Sequence, residues 1–147
     1  MGAAVITVTI DNPLAIVGRG YSNEYTVQVD WVSSDAGAGA GALATLWTAA
    51  KASWQPALTR LRGFIRSIET APGLNGDLTT SLPTSYGVTL LDEYGYDVAG
   101  GGLAARSAAV AEKIVPSEAI WIDSEITFTL TGAGNALKGR MLIHMGS

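Results

Sequence analysis

A chain of 147 residues and 15.2 kDa has the length of one domain. It has no cysteine and a single histidine, His144, which excludes a disulfide framework, a thiolate metal site, a cysteine nucleophile and a His-rich zinc site. Nine basic against thirteen acidic residues leave a net charge of −4 and a pI near 4.8, the opposite of the basic footprint of a nucleic-acid binder. Charged residues make up only 15% of the chain and the mean hydropathy is +0.26, where ordinary domains carry about 25% charge. No run of about 18 apolar residues is present, so no membrane-spanning helix is expected. The first residues lack the basic start and apolar continuation of a secretory leader, and Ile6 stands where a myristoylation signal needs Ser or Thr. Composition points to contact rather than catalysis, and to neither nucleic acid nor membrane as partner.

Taken in chain order, the dominant period is two. Residues 5–10 read as a strand stopped by Asp11-Asn12-Pro13. Residues 24–32 alternate most cleanly, with Tyr25, Val27, Val29 and Trp31 on one face and Glu24, Thr26, Gln28 and Asp30 on the other. The alternating Ala/Gly run of 36–42 offers little apolar surface and reads as a loop or extended arm.

Residues 43–68 are ambiguous, because Ala, Leu and Arg there satisfy a helical template as well as a strand. On a strand, Arg60, Arg62, Phe64, Arg66 and Ile68 share one face; on a helix, Leu58, Leu61, Ile65 and Ile68 form a stripe. Propensity slightly favours the helix.

Beyond this segment, residues 86–91 are β-type, and Asp92-Glu-Tyr-Gly95 signals a type I turn with Gly95 at positive φ. That turn folds residues 96–98 back onto 88–91. Residues 99–111 form a second Gly/Ala-rich loop. Runs 125–131 and 140–145 are the last strands, and the turn-rich connection between them predicts a terminal hairpin.

Little in the chain resembles catalytic machinery. Asp92, Glu93 and Asp97 cluster, but Tyr94 and Tyr96 occupy alternate positions that a calcium loop needs for oxygen ligands. The glycines at 37, 39 and 41 lack the Gly-Lys-Ser/Thr ending of a phosphate loop, and no Gly-x-Ser-x-Gly elbow exists. No enzyme, cofactor or metal is expected. The better candidates are contact residues. Trp47 and Trp54 lie in a segment poor in acids, where Trp and Arg commonly anchor protein interfaces. Arg60, Arg62 and Arg66 concentrate three of the six arginines in seven residues of an acidic protein, a candidate docking stripe for acidic protein surface. Trp31 reads as a core anchor.

Three blocks carry a resemblance. The first is Val27-Gln-Val-Asp-Trp-Val-Ser-Ser-Asp-Ala-Gly-Ala-Gly-Ala-Gly41. The second is Leu82-Pro-Thr-Ser-Tyr-Gly-Val-Thr-Leu-Leu-Asp-Glu-Tyr-Gly-Tyr-Asp-Val-Ala-Gly-Gly-Gly102, continuing with Leu103-Ala-Ala-Arg-Ser107. The third is Leu130-Thr-Gly-Ala-Gly-Asn-Ala136, turning into Lys138-Gly-Arg-Met-Leu-Ile143. Together they resemble a family of small virion structural proteins of tailed bacteriophages, of the head decoration or cement type. Relative to the family pattern, Ala104-Ala105 replaces an Ala-Asn step and Gly132 replaces Asn.

The resemblance implies a strand over residues 58–70, ahead of a Pro-Gly turn, and overrides the helical option there. It implies one all-β domain over 1–147, a jelly-roll-like β-sandwich with residues 1–23 as an N-terminal arm or strand and Gly/Ala-rich loops at 33–42 and 99–111. It further implies a protein made in the host cytoplasm and carried on the capsid surface, a homotrimer that binds the major capsid protein. Arg106, in the second Gly/Ala-rich loop, joins Arg60, Arg62, Arg66, Trp47 and Trp54 as a candidate interface residue. A neck or tail component, or a carbohydrate-binding host-recognition module using Trp47, Trp54, Tyr94 and Tyr96, are the alternatives.

Overall fold

In strand β2 (Tyr25–Val32), every residue on the Tyr25, Val27, Val29, Trp31 face is buried, and each residue between them is partly exposed. A half-buried antiparallel sheet demands this alternation. The computed structural model describes residues 3–16, 24–72, 86–106, 111–118, 120–133 and 137–146. The other elements are β1 (Val5–Asp11), a 3-10 turn at Pro13–Ala15, β3 (Gly39–Ala42), α1 (Leu43–Ala50), β4 (Leu61–Pro72) and β5 (Gly87–Leu91). They are followed by β6 (Glu112–Ile114), β7 (Ile120–Ser124), β8 (Thr127–Thr131) and β9 (Lys138–Gly146).

The strands form two antiparallel sheets, and the fold is all-β as the sequence implied. The larger runs β1-β2-β9-β4, with β6 and β7 end to end along the far edge of β4. The smaller runs β3-β8-β5. Val27, Val29, Trp31, Ile65, Ile68, Met141 and Ile143 from the large sheet join Val88, Leu90, Phe128 and Leu130 from the small one in one core. Full burial of such side chains contributes about 1.5–3 kcal/mol each. Trp31 packs on Tyr86 with ring centroids 5.4 Å apart.

Four expectations change. Strands β8 and β9 do not pair as a hairpin: β8 lies between β3 and β5, while β9 lies between β2 and β4. Their connection crosses from one sheet to the other, and Ser33 anchors its far end by exchanging hydrogen bonds with the Leu137 backbone. Second, the Ala/Gly run is not an arm throughout, because residues 39–42 are strand β3, paired to β8. Its small residues permit close packing, and a Cβ at Gly41 would strike Leu46 of α1.

Third, the ambiguous middle divides between both templates: 43–50 is helix and 61–72 is strand. Ala42, at the N-cap of α1, offers no capping side chain. Glu125 serves from a distance instead, accepting from the Ala44 N–H at 2.9 Å and the Thr45 hydroxyl at 3.0 Å. A carboxylate suits the positive end of a helix. Fourth, the stripe from Arg60 to Ile68 is broken. A register shift between Ile65 and Ser67 turns Ile68 into the core, while Arg62 and Phe64 stay on the outer face.

A candidate contact surface

The start of β4, the end of β7 and the turn after β5 meet at one end of the molecule. Leu61 pairs with Ser124 across β4 and β7, and the Ser124 hydroxyl accepts from the Glu93 N–H at 3.0 Å. The turn itself is fixed by two aspartates. Asp92 accepts from the N–H groups of Tyr94 and Tyr96, at 2.9 and 3.0 Å. Asp97 accepts from those of Leu90, Ala99 and Gly101, at 2.9 to 3.2 Å. These are Asx-type bonds, in which a short acidic side chain replaces the partners that a loop backbone lacks. Gly95 takes φ +86°, as the turn requires. The result is an ordered loop that carries Tyr94, 81% exposed, and Tyr96 into solvent.

Beside the loop, Arg60 joins both neighbours. Its guanidinium reaches Asp123 Oδ1 at 3.1 Å and the Asp123 carbonyl at 3.0 Å, and it stands 3.7 Å from Glu93. The hydrogen bond to Asp123, together with the charges of Asp123 and Glu93, holds Arg60 still more firmly in its charged form. Tyr94 lies near enough to add to that field. Next along the outer face, Arg62 lies opposite Asp123 and Phe64 opposite Trp121. The two rings meet edge to face at 5.0 Å, and Trp121 remains 51% exposed. Phe64 thus braces an indole that solvent still reaches.

The remaining candidates divide. Trp47 is buried, at 3% exposure, and its indole N–H donates to the Pro56 carbonyl at 3.0 Å. It is a core residue of α1, not an interface anchor. Trp54 is 81% exposed in the loop that follows the helix. Arg66, at the β4 irregularity, lies over Gly146, where an added Cβ would strike its guanidinium. The side chain of Arg106 is largely covered and stands 3.9 Å from Glu112. It sits apart from the Arg60 cluster, beside the Tyr86 backbone with which it forms a bridge, and so does not belong to the contact surface. Of the aspartate turn's neighbours, Trp121 was the member hardest to single out. Its signal was the Ile120-Trp-Ile-Asp alternation of β7, a strand missing from the expected set.

Elsewhere the outer face of the large sheet is polar. Asp30 and Arg140 form a two-point ion pair at 2.5 and 3.0 Å. His144 lies between the Thr26 hydroxyl and Glu69, each at 3.2 Å. A cleft of about 480 Å³ opens there, with Thr70, Ala71, Leu142 and Arg140 among its walls. Inside, burial pushes the phenols of Tyr25 and Tyr86 above the ordinary tyrosine range. Tyr25 donates to the Arg62 carbonyl at 2.5 Å. That bond ties the first buried residue of β2 to the strand that carries the arginines.

Among the described residues no group of three His, Asp or Glu is placed to hold a metal ion. No helix there is long and apolar enough to cross a membrane. No family model, curated protein or solved structure matches the chain.

Proposed function

We propose that the protein is a virion structural component that decorates a bacteriophage head, binding the lattice of the major capsid protein and stabilising it. The observation that carries this reading is the aromatic and arginine surface built on the Asp92–Asp97 turn. Tyr94 and Tyr96 are exposed, yet the backbone beneath them is already ordered by five side-chain hydrogen bonds. Ordering a contact loop before binding removes part of the entropy cost of association. Tyr, Trp and Arg are the side chains that concentrate binding energy at interfaces.

The resemblance of the aspartate turn and the closing block to phage virion proteins supplies the partner. A β-sandwich, whose strands are tied by long-range ladders, suits a shell component. Stabilisation follows from mass action, since binding only the assembled lattice lowers the free energy of that state alone. The trimeric state belongs to the same proposal and rests on shell symmetry.

Purified particles test it. Densitometry is expected to give hundreds of copies per head, and particles stripped of the protein should lose contents at a lower temperature. A copy number near six or twelve would place the protein at the neck or tail instead. Binding to host polysaccharide that Tyr94→Ala abolishes would favour a recognition module.

A further inference from the structure

Arg60 and Arg62 both approach Asp123, and that carboxylate cannot serve both. Arg60 takes it at 3.1 Å and also takes the Asp123 carbonyl. Arg62 is left with a single approach of 3.8 Å, beyond hydrogen-bond distance. Its side chain is 58% exposed. Among the described residues, therefore, the five N–H donors of Arg62 make no side-chain hydrogen bond to the protein. The next outward residue along β4 is Phe64, cross-strand from Trp121. A charged fork with unused donors thus stands one diagonal step from a half-exposed indole, a spacing that one extended segment of a partner spans.

We infer that Arg62 and Trp121 form a docking site for an acidic segment of a partner protein, in which a carboxylate is held by the Arg62 fork and an adjacent apolar side chain rests on Trp121. Charge decides the occupant. The guanidinium geometry matches a carboxylate at two points. The patch as a whole has little cationic excess, however, because Arg60 and Arg62 lie beside Glu93 and Asp123. A polyphosphate backbone would meet those two carboxylates and a chain of net charge −4. A short acidic segment with alternating apolar residues meets one spare cation and one apolar ring, which is what the surface offers. This deepens the capsid reading by naming the chemistry of the contact, and it rests on that reading only for the identity of the partner.

Isothermal titration calorimetry reads the site in the parent and in each variant alike, because it needs no side chain of the site as a reporter. The probes are a capped Glu-Leu-Glu-Leu-Glu peptide, its Gln-Leu-Gln-Leu-Gln counterpart, a ten-residue oligothymidine and an alginate oligomer. The acidic peptide should bind at least about tenfold more tightly than the glutamine peptide, and weaken about tenfold in Arg62→Gln and in Trp121→Ala. Lys138→Gln, at the start of β9, should leave binding unchanged. Circular dichroism confirms that each variant folds.

Equal affinity for both peptides, undiminished binding by Arg62→Gln, or preference for the oligonucleotide or the alginate would overturn the inference. Peptide binding that survives when particles carry no protein would refute the capsid reading and leave the docking site standing. Particles fully loaded with Arg62→Gln protein would do the reverse.

Discussion

Gly139 gives the sharpest test of the core. It is paired across from Trp31 on β2 and from Pro72 on β4, so it lies in the middle of the large sheet. A methyl group there would fall within 2.5 Å of three ring atoms of Trp31. The indole is fully buried and is backed by Tyr86 at 5.4 Å, so it has no empty space to swing into. Overpacking of a core costs about 1–3 kcal/mol, and a rigid ring blocked on its far side belongs at the upper end, about 3 kcal/mol. Gly139→Ala should therefore lower the unfolding midpoint by about 10 °C. Urea titration followed by tryptophan fluorescence measures the loss directly.

Trp31→Phe in the same chain removes the colliding ring atoms. The double variant should then recover at least about 1 kcal/mol relative to the sum of the two single losses. Gly95→Ala is the control. Nothing lies within 4 Å of the added methyl, so only the strain of φ +86° remains, about 1 kcal/mol. If Gly139→Ala lies within about 0.5 kcal/mol of the parent, the packing argument is wrong, because that is the scatter of neutral surface changes.

Other perturbations probe the remaining devices. Tyr25 and Tyr86 have folded pKa values raised above the ordinary 10.0 by burial, so the unfolded chain releases these protons first as pH rises. Stability should be unaffected by them below about pH 10 and should fall above it, by up to about 1.4 kcal/mol per pH unit for each tyrosine; denaturant titrations at pH 9 to 12 check this, and Tyr86→Phe should reduce the slope. Glu125→Ala removes the acceptor for the Ala44 N–H and the Thr45 hydroxyl and should cost about 1–2 kcal/mol, read as a lower urea midpoint with an unchanged m-value. Asp92→Ala releases two backbone N–H groups in an exposed turn. It should cost about 1 kcal/mol or less in stability yet speed hydrogen exchange at Tyr94 and Tyr96; under the proposed head-binding role, the variant's occupancy on particles should also drop.

Where period-two alternation is long, the sequence predicts the structure closely. β2 needs eight residues of apolar and polar alternation, and no other period satisfies Tyr25, Val27, Val29 and Trp31 together. The turn after β5 was equally readable, because Asp92, Gly95 and Asp97 each have one conformational use there. The helix α1 was not, since its cap is Glu125, 81 residues away from Ala44, and a local pattern holds no trace of such a partner. The supposed terminal hairpin failed for a related reason. A turn-rich connection between two strands specifies that the chain reverses or bends, whereas pairing depends on which sheet has room for each strand. Trp47 and Trp54 show the same limit at the surface. They stand seven residues apart with similar neighbours, but the helix turns Trp47 inward and the following loop leaves Trp54 outside.

The competition for Asp123 explains why Arg60 and Arg62 do not act alike. Arg60 is neutralised locally and holds the Tyr94 loop to the sheet; it is a brace, and charge reversal there should disturb the loop before it disturbs any partner. Arg62 has the weaker share of the same carboxylate and the greater exposure, so its charge is the one available to a partner. An exposed ion pair contributes little to stability, about 0–1 kcal/mol. Selection for stability alone would therefore hardly distinguish the two positions. A single such contact is also a weak binding site, since one fork and one indole leave only a small surplus over the entropy of association. It becomes effective when several copies are held together and each engages an identical site. Linked sites gain affinity without new contacts. A repeating lattice supplies that geometry, and a lone soluble partner does not.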